Sequence, residues 1–105
     1  MPLERQPCVY FLASGTRGYL YIGVTSDLAR RVWEHRNEVR SGWAKDKGCL
    51  LLVRYELFAD MPTAIAREKQ LKNWHRPWKQ NLVEEHNLNW RDLAVDLGFE
   101  KLAER

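Results

Sequence analysis

The tightest limit on how this chain can fold comes from residues 8–36, CVYFLASGTRGYLYIGVTSDLARRVWEHR. Two β-rich runs, over 8–12 and 19–24, flank the turn-forming cluster Ala13-Ser14-Gly15-Thr16-Arg17-Gly18. They read as a hairpin with a loop of roughly five residues. Alternation along the second run puts Tyr19, Tyr21 and Gly23 on one face and Leu20, Ile22 and Val24 on the other. Tyr21 therefore points away from the apolar side of its own strand. A helix is expected from about Asp27 to Arg40, stopped near Gly42, with Thr25 or Ser26 as its cap and Asp27 at its positive end. Leu28, Val32 and Val39 give it an apolar stripe. Arg31 and His35, at i and i+4, share an adjacent face and can converge on one ligand.

Further on, residues 41–48 read as a polar loop carrying Trp43 and two lysines, and residues 50–58 as a third strand. Alternation there puts Leu51, Val53, Tyr55 and Leu57 on one face, Arg54 and Glu56 on the other. A second helix is expected over 61–74, opened by Pro62, a third over 77–86, and a short last one over 90–97, capped by Asn89. The order ββαβααα predicts an α+β fold, a small three-stranded, mostly antiparallel sheet flanked by helices. A chain of 105 residues builds one such domain and not two. The domain is expected to span 7–97, with 1–6 and 98–105 as flexible termini.

One residue of the second helix breaks its pattern. Helical spacing places Met61, Ala64, Ile65 and Leu71 on the buried stripe, with Glu68 near its middle. A carboxylate turned toward a core is costly unless a cation or strong donors answer it, so partners are expected there.

Composition narrows the chemistry. The net charge of +3 suits a polyanionic partner without demanding one. No apolar run approaches the ~18 residues of a membrane span and no secretory signal is present, so a cytoplasmic protein without membrane association is expected. Cys8 and Cys49 have no CxxC or metal-ligand spacing and are expected to be reduced thiols. No Ser or Cys sits in a nucleophile elbow, and there is neither a phosphate-binding P-loop nor a dinucleotide fingerprint. His35, His75 and His86 are too scattered for a zinc site.

What remains is two tyrosines, an arginine, a histidine and one carboxylate, a set suited to phosphodiester hydrolysis. A hard cation such as Mg²⁺ needs few protein carboxylates because it keeps most of its waters. A guanidinium can hold non-bridging phosphate oxygens, and a phenol of lowered pKa can take a proton from water.

Val9-Tyr10, then Tyr21-Ile22-Gly23, then Arg31 and His35, resemble the GIY-YIG nuclease superfamily. The first triplet is Cys8-Val9-Tyr10 in place of Gly-Ile-Tyr, which keeps the tyrosine. Residues 66–72 (AREKQLK), Trp74 and residues 89–93 (NWRDL) resemble the small stand-alone bacterial branch of predicted endonucleases. The match covers about residues 7–95.

The resemblance implies a DNA endonuclease dependent on Mg²⁺ or Mn²⁺. Glu68 matches the family's metal-binding glutamate. Tyr10 and Tyr21 match the motif tyrosines that serve as general base or orient the attacking water. Arg31 matches the arginine that positions the phosphate, and His35 a position that is histidine in some branches and tyrosine in others. For the asparagine that many members carry after the glutamate, Asn81 is nearest by spacing, with Asn73 and Asn87 as the others.

Lys69, Lys72 and Asn81 are candidates for nucleic-acid contact. Lys45, Lys47, Arg76 and Lys79 extend a surface that reads either as phosphate-facing or as merely solvated. Trp33 and Trp43 lie in basic, polar surroundings that suit base stacking or edge packing. RNA remains open as a substrate, and a partner protein could supply targeting. The alternative is a nucleic-acid-binding or partner-binding module that keeps the fold without catalysis.

Overall fold

A computed structural model of the chain describes residues 5–37 and 42–102. Its centre is β1 (Cys8–Ala13), which pairs antiparallel with β2 (Leu20–Thr25) on one side and β3 (Leu51–Leu57) on the other. All six residues of β1 are buried, so the strand reads as a continuous apolar run rather than an alternating one. Its odd residues Val9, Phe11 and Ala13 enter one core with Ile22, Val53, Ala64, Leu71 and Trp90. Its even residues Cys8, Tyr10 and Leu12 enter a second core with Leu28, Val32, Leu52 and Ala94. This is the small antiparallel α+β architecture expected from the sequence.

The hairpin loop lies one residue further along than expected, over 14–19. Ser14 and Tyr19 exchange two hydrogen bonds, Ser14 N to Tyr19 O at 3.0 Å and Tyr19 N to Ser14 Oγ at 2.9 Å. Tyr19 is thereby held at the mouth of the loop, and β2 starts at Leu20.

The first helix, α1 (Leu28–Arg36), is capped by Asp27 itself, whose carboxylate accepts the Arg30 N–H at 3.2 Å. Thr25, an expected cap, instead accepts the Asp27 N–H and sets up the turn. Asn37 ends the helix by donating twice to the Trp33 carbonyl. The expected continuation through Val39 to Arg40 lies outside the described residues. Within the expected polar loop, α2 (Trp43–Asp46) forms a single turn that buries Ala44.

β3 departs from simple alternation. Its register against β1 shifts between Phe11, paired with Arg54, and Leu12, paired with Leu52. The bulge leaves Val53 as an extra residue and reverses the faces beyond it. Leu51 and Val53 join the first core, whereas Tyr55 packs against the second. The expected common face of Leu51, Val53, Tyr55 and Leu57 is therefore split.

The reversal brings Arg54 and Glu56 under α3 (Met61–Lys72), where Glu56 receives Arg54 at 2.7 Å and Arg67 at 2.8 Å. Burial raises the Glu56 carboxyl pKa, but hydrogen bonds from Arg67 and Arg54 outweigh burial and hold it below the usual carboxylate value. A depressed pKa contributes stability above the ordinary value of 4.5, lost as pH falls through the folded-state value. Glu56→Gln should cost about 2 kcal/mol at neutral pH. Urea unfolding should show that gap closing in acid; a gap that does not change with pH would rule out the charged form as its source.

After α3, α4 (Arg76–Glu84) follows the cap position His75, and a 3-10 helix spans Leu93–Leu97. The expected last helix does not start at Trp90, whose φ of +57° is left-handed. The cap is Asp92, which accepts the Ala94 N–H at 3.1 Å. Asp92 also takes Arg36 at 2.7 Å and the Leu52 N–H at 3.2 Å, tying α1 and β3 to the C-terminal segment. No described helix is long and apolar enough to cross a membrane.

Candidate active site

Tyr10 stands in the middle of β1, fully buried, directly opposite Gly23 of β2. The tyrosine explains the glycine. A Cβ at Gly23 would lie 2.5 Å from both Cζ and the hydroxyl of Tyr10, so the phenol occupies the space a side chain would need. A glycine inside a strand is the sequence signal for such an approach, and reading for charge and periodicity alone passes over it.

Past Gly23 the Tyr10 hydroxyl reaches His35 Nε2 at 3.3 Å. The phenol donates when that nitrogen is bare and accepts when it carries the proton. Tyr21, two residues before Gly23 on the same face, has its ring 6.2 Å from that of Tyr10 and 5.6 Å from that of His35. His35 itself is 8% exposed. Three proton-bearing groups from β1, β2 and α1 thus share one cluster.

α3 packs across β2 and β1. Its buried contacts are Ala64 and Leu71, one on each side of Glu68, while Ile65 is 36% exposed and Met61 half-buried. The expected stripe is therefore narrower than periodicity suggested, and Glu68 lies between its two buried contacts with its own side chain only 15% exposed. The Glu68 carboxylate does have its cation, Lys72 one turn on at 3.2 Å, and the Lys72 ammonium lies 5.9 Å from the Tyr21 ring centre. Through Lys72, Glu68 meets the tyrosine cluster.

Arg31 lies one turn before His35 and its guanidinium is engaged by Glu34 at 3.3 Å. It lines an open groove with Arg5, Thr25, Ser26, Asp27, Arg30 and Glu34, and none of Tyr10, Tyr21 or Glu68 is in that lining.

Of the asparagines, Asn81 is exposed on α4. Asn73 closes α3 by donating to the Lys69 carbonyl at 3.2 Å. Asn87 is buried and holds the C-terminal turn, donating to the carbonyls of Val53 and Arg91 and accepting the Arg91 N–H.

Lys69 is exposed on α3. Beside Lys72 the fold adds two cations from α4. Lys79 donates to the Lys72 carbonyl at 3.4 Å, and Arg76 donates to the carbonyls of Gly18 and Arg17 at 2.8 and 3.2 Å. Burial and then the charges of Lys72 and Arg76 lower the Lys79 pKa. That crowding of like charge is what a polyanion relieves.

Among the described residues no three or more His, Cys, Asp or Glu side chains gather to hold a metal. A closed zinc-type centre does not fit this donor set. A single carboxylate does fit a hydrated Mg²⁺ or Mn²⁺, which needs few protein ligands because it keeps most of its waters.

A family model described as the GIY-YIG catalytic domain matches residues 6–81. A UPF0213 protein of Haloquadratum walsbyi is 36% identical over 66 residues, 63% of this chain and 74% of that one. A UPF0213 protein of Yersinia enterocolitica is 34% identical over 73 residues, 70% of this chain and 75% of that one. The solution NMR structure of a UPF0213 protein from Bacillus halodurans superposes with a TM-score of 0.53 at 24% identity, covering 90% of this chain and 99% of that one.

Proposed function

This chain belongs to the GIY-YIG catalytic domain family, among the small stand-alone proteins named UPF0213, and on that footing we propose that it is a metal-dependent DNA endonuclease. The observation that carries the reading is the approach of Glu68, through Lys72, to a tyrosine cluster where Tyr10 and His35 are hydrogen-bonded. Glu68 would hold Mg²⁺ or Mn²⁺, which when bound would supply positive charge to offset the charge that develops during phosphodiester hydrolysis. Lys72, half exposed on a flexible stem, gives up the carboxylate and turns to the DNA backbone.

Tyr10 and Tyr21 orient the attacking water, and the Tyr10–His35 pair takes its proton at the phenol oxygen or at Nε2. Arg31 leaves Glu34 to hold a non-bridging phosphate oxygen with His35. Lys69, Lys72 and Asn81, with Arg76 and Lys79, face the flanking backbone. One such site cuts one strand, so nicking is the expected product.

Incubation of the purified chain with supercoiled plasmid and branched DNA should yield nicked product in Mg²⁺ or Mn²⁺ and none in EDTA. Intact DNA in both metals would overturn the reading. One observation favours the rival, a DNA-binding module without catalysis: the Glu68 carboxylate is already paired with Lys72. That rival requires salt-sensitive DNA binding and no cleavage.

A further inference from the structure

Next to the candidate site lies a pair of aromatic rings that the proposed cleavage leaves unused. Tyr19 and Trp43 are 47% and 48% exposed and meet edge to face at 5.9 Å. The Lys47 ammonium sits 4.9 Å from the Tyr19 ring centre. Two large rings adjoining at a surface under a cation form a patch, unlike singly scattered apolar residues.

The backbone beneath both rings is held in place. The Tyr19 backbone is bonded to Ser14 in both directions, and its carbonyl also accepts from Cys49 Sγ at 3.7 Å. Trp43 opens the α2 turn, which buried Ala44 anchors, its carbonyl accepting the Cys49 N–H at 2.9 Å. Little ordering is therefore left for a ligand to impose.

Position relates the pair to the candidate site. Tyr19 and Tyr21 are two residues apart on one side of the chain, a step of about 7 Å along an extended strand. A nucleic-acid strand with a phosphate near Tyr21 brings a neighbouring base to Tyr19. The surroundings suit a polyanion: Lys45 and Lys47 are exposed, Lys47 stands over Tyr19 and Lys72 over Tyr21, with Asp46 the acidic side chain of α2.

We infer that Tyr19 and Trp43 form a stacking platform for unpaired nucleobases, and that the preferred DNA carries single-stranded or frayed bases beside the cleaved bond. A continuous duplex hides its base faces within its own stack and offers this platform nothing. Stacking tolerates every base, so the selectivity is for unpaired structure rather than for sequence. The cleavage part of this inference rests on the nuclease reading; the platform as a binding site does not.

The test is metal-free binding, in EDTA, of a labelled short oligothymidylate and of an abasic oligomer of equal length and charge. The wild type should bind the thymidylate about tenfold more tightly. Tyr19→Ala combined with Trp43→Ala should erase that preference while Trp43→Phe keeps most of it, with circular dichroism showing that each variant is folded. Equal binding of the two oligomers by the wild type, or an undiminished preference in the double variant, overturns the platform.

Cleavage in Mg²⁺ is read separately on flapped and continuous duplexes. A wild type that prefers the thymidylate but cuts neither duplex supports the platform and removes the nuclease reading. One that cuts both equally and binds the two oligomers alike keeps the nuclease and removes the platform.

Discussion

Glu68→Gln is expected to lower DNA cleavage by about a thousandfold while leaving the fold intact. The substitution keeps the shape of the side chain and removes only its charge. On the proposed reading that charge holds the cation, and losing a preorganised stabiliser of transition-state charge costs factors of about 10²–10³. The structural cost is small. The Glu68 side chain is largely covered, but glutamine fills the same volume, and the described pairing lost is an i,i+4 bridge to a half-exposed lysine, a contact worth about 1 kcal/mol. Thermal unfolding should therefore move little while nicking of supercoiled plasmid collapses. Equal nicking by the variant would assign the activity to a contaminant or to another site. A large fall in the unfolding temperature would make Glu68 a structural anchor instead.

The second large effect is expected at Gly23. In Gly23→Ala the new methyl group arrives 2.5 Å from both Cζ and the hydroxyl oxygen of Tyr10. That ring cannot swing aside, because it is fully buried in the central strand and its hydroxyl is engaged by His35. Overpacking of this kind costs about 1–3 kcal/mol. For a domain of this size the unfolding temperature should drop by roughly 10 °C. Cleavage should fall further than the lost folded fraction explains, because the displaced phenol no longer meets His35. Gly15→Ala is the control, since a Cβ there meets nothing within 4 Å. Tyr10→Phe separates packing from chemistry: it keeps the ring against Gly23 and removes only the hydroxyl. A Gly23→Ala protein with wild-type stability and cleavage would refute the close approach.

Several features of the fold could be read from short stretches. The hairpin was legible because turn residues separate two β-rich runs, and the direction of Tyr21 because alternation in a paired strand leaves it no other face. Glu68 drew notice because a carboxylate interrupts a helical apolar pattern. Other features escaped the same reasoning for identifiable causes. Thr25 and Ser26 have the right chemistry for a cap, but the backbone turns so that Asp27 holds the orphan N–H. Trp90 adopts a left-handed conformation that nothing in its neighbours announces, and the last helix starts later. The faces of β3 reversed because one unpaired residue, Val53, sits opposite β1.

By itself, then, the order of residues determined the three strands and the longer helices, the face of β2 that carries Tyr21, and which groups can handle protons or phosphate. Those are consequences of local periodicity and backbone preference, which act over a few neighbours. The tertiary structure alone decided that Tyr10 passes over Gly23 to reach His35, that the bulge places Glu56 under Arg67, and that Lys72 joins Glu68 to Tyr21. Each of these depends on the register between segments far apart in the chain, such as Leu12 against Leu52, and on the way α3 crosses β2. Registers of that kind are settled by how the two cores fill, and no local pattern contains that information.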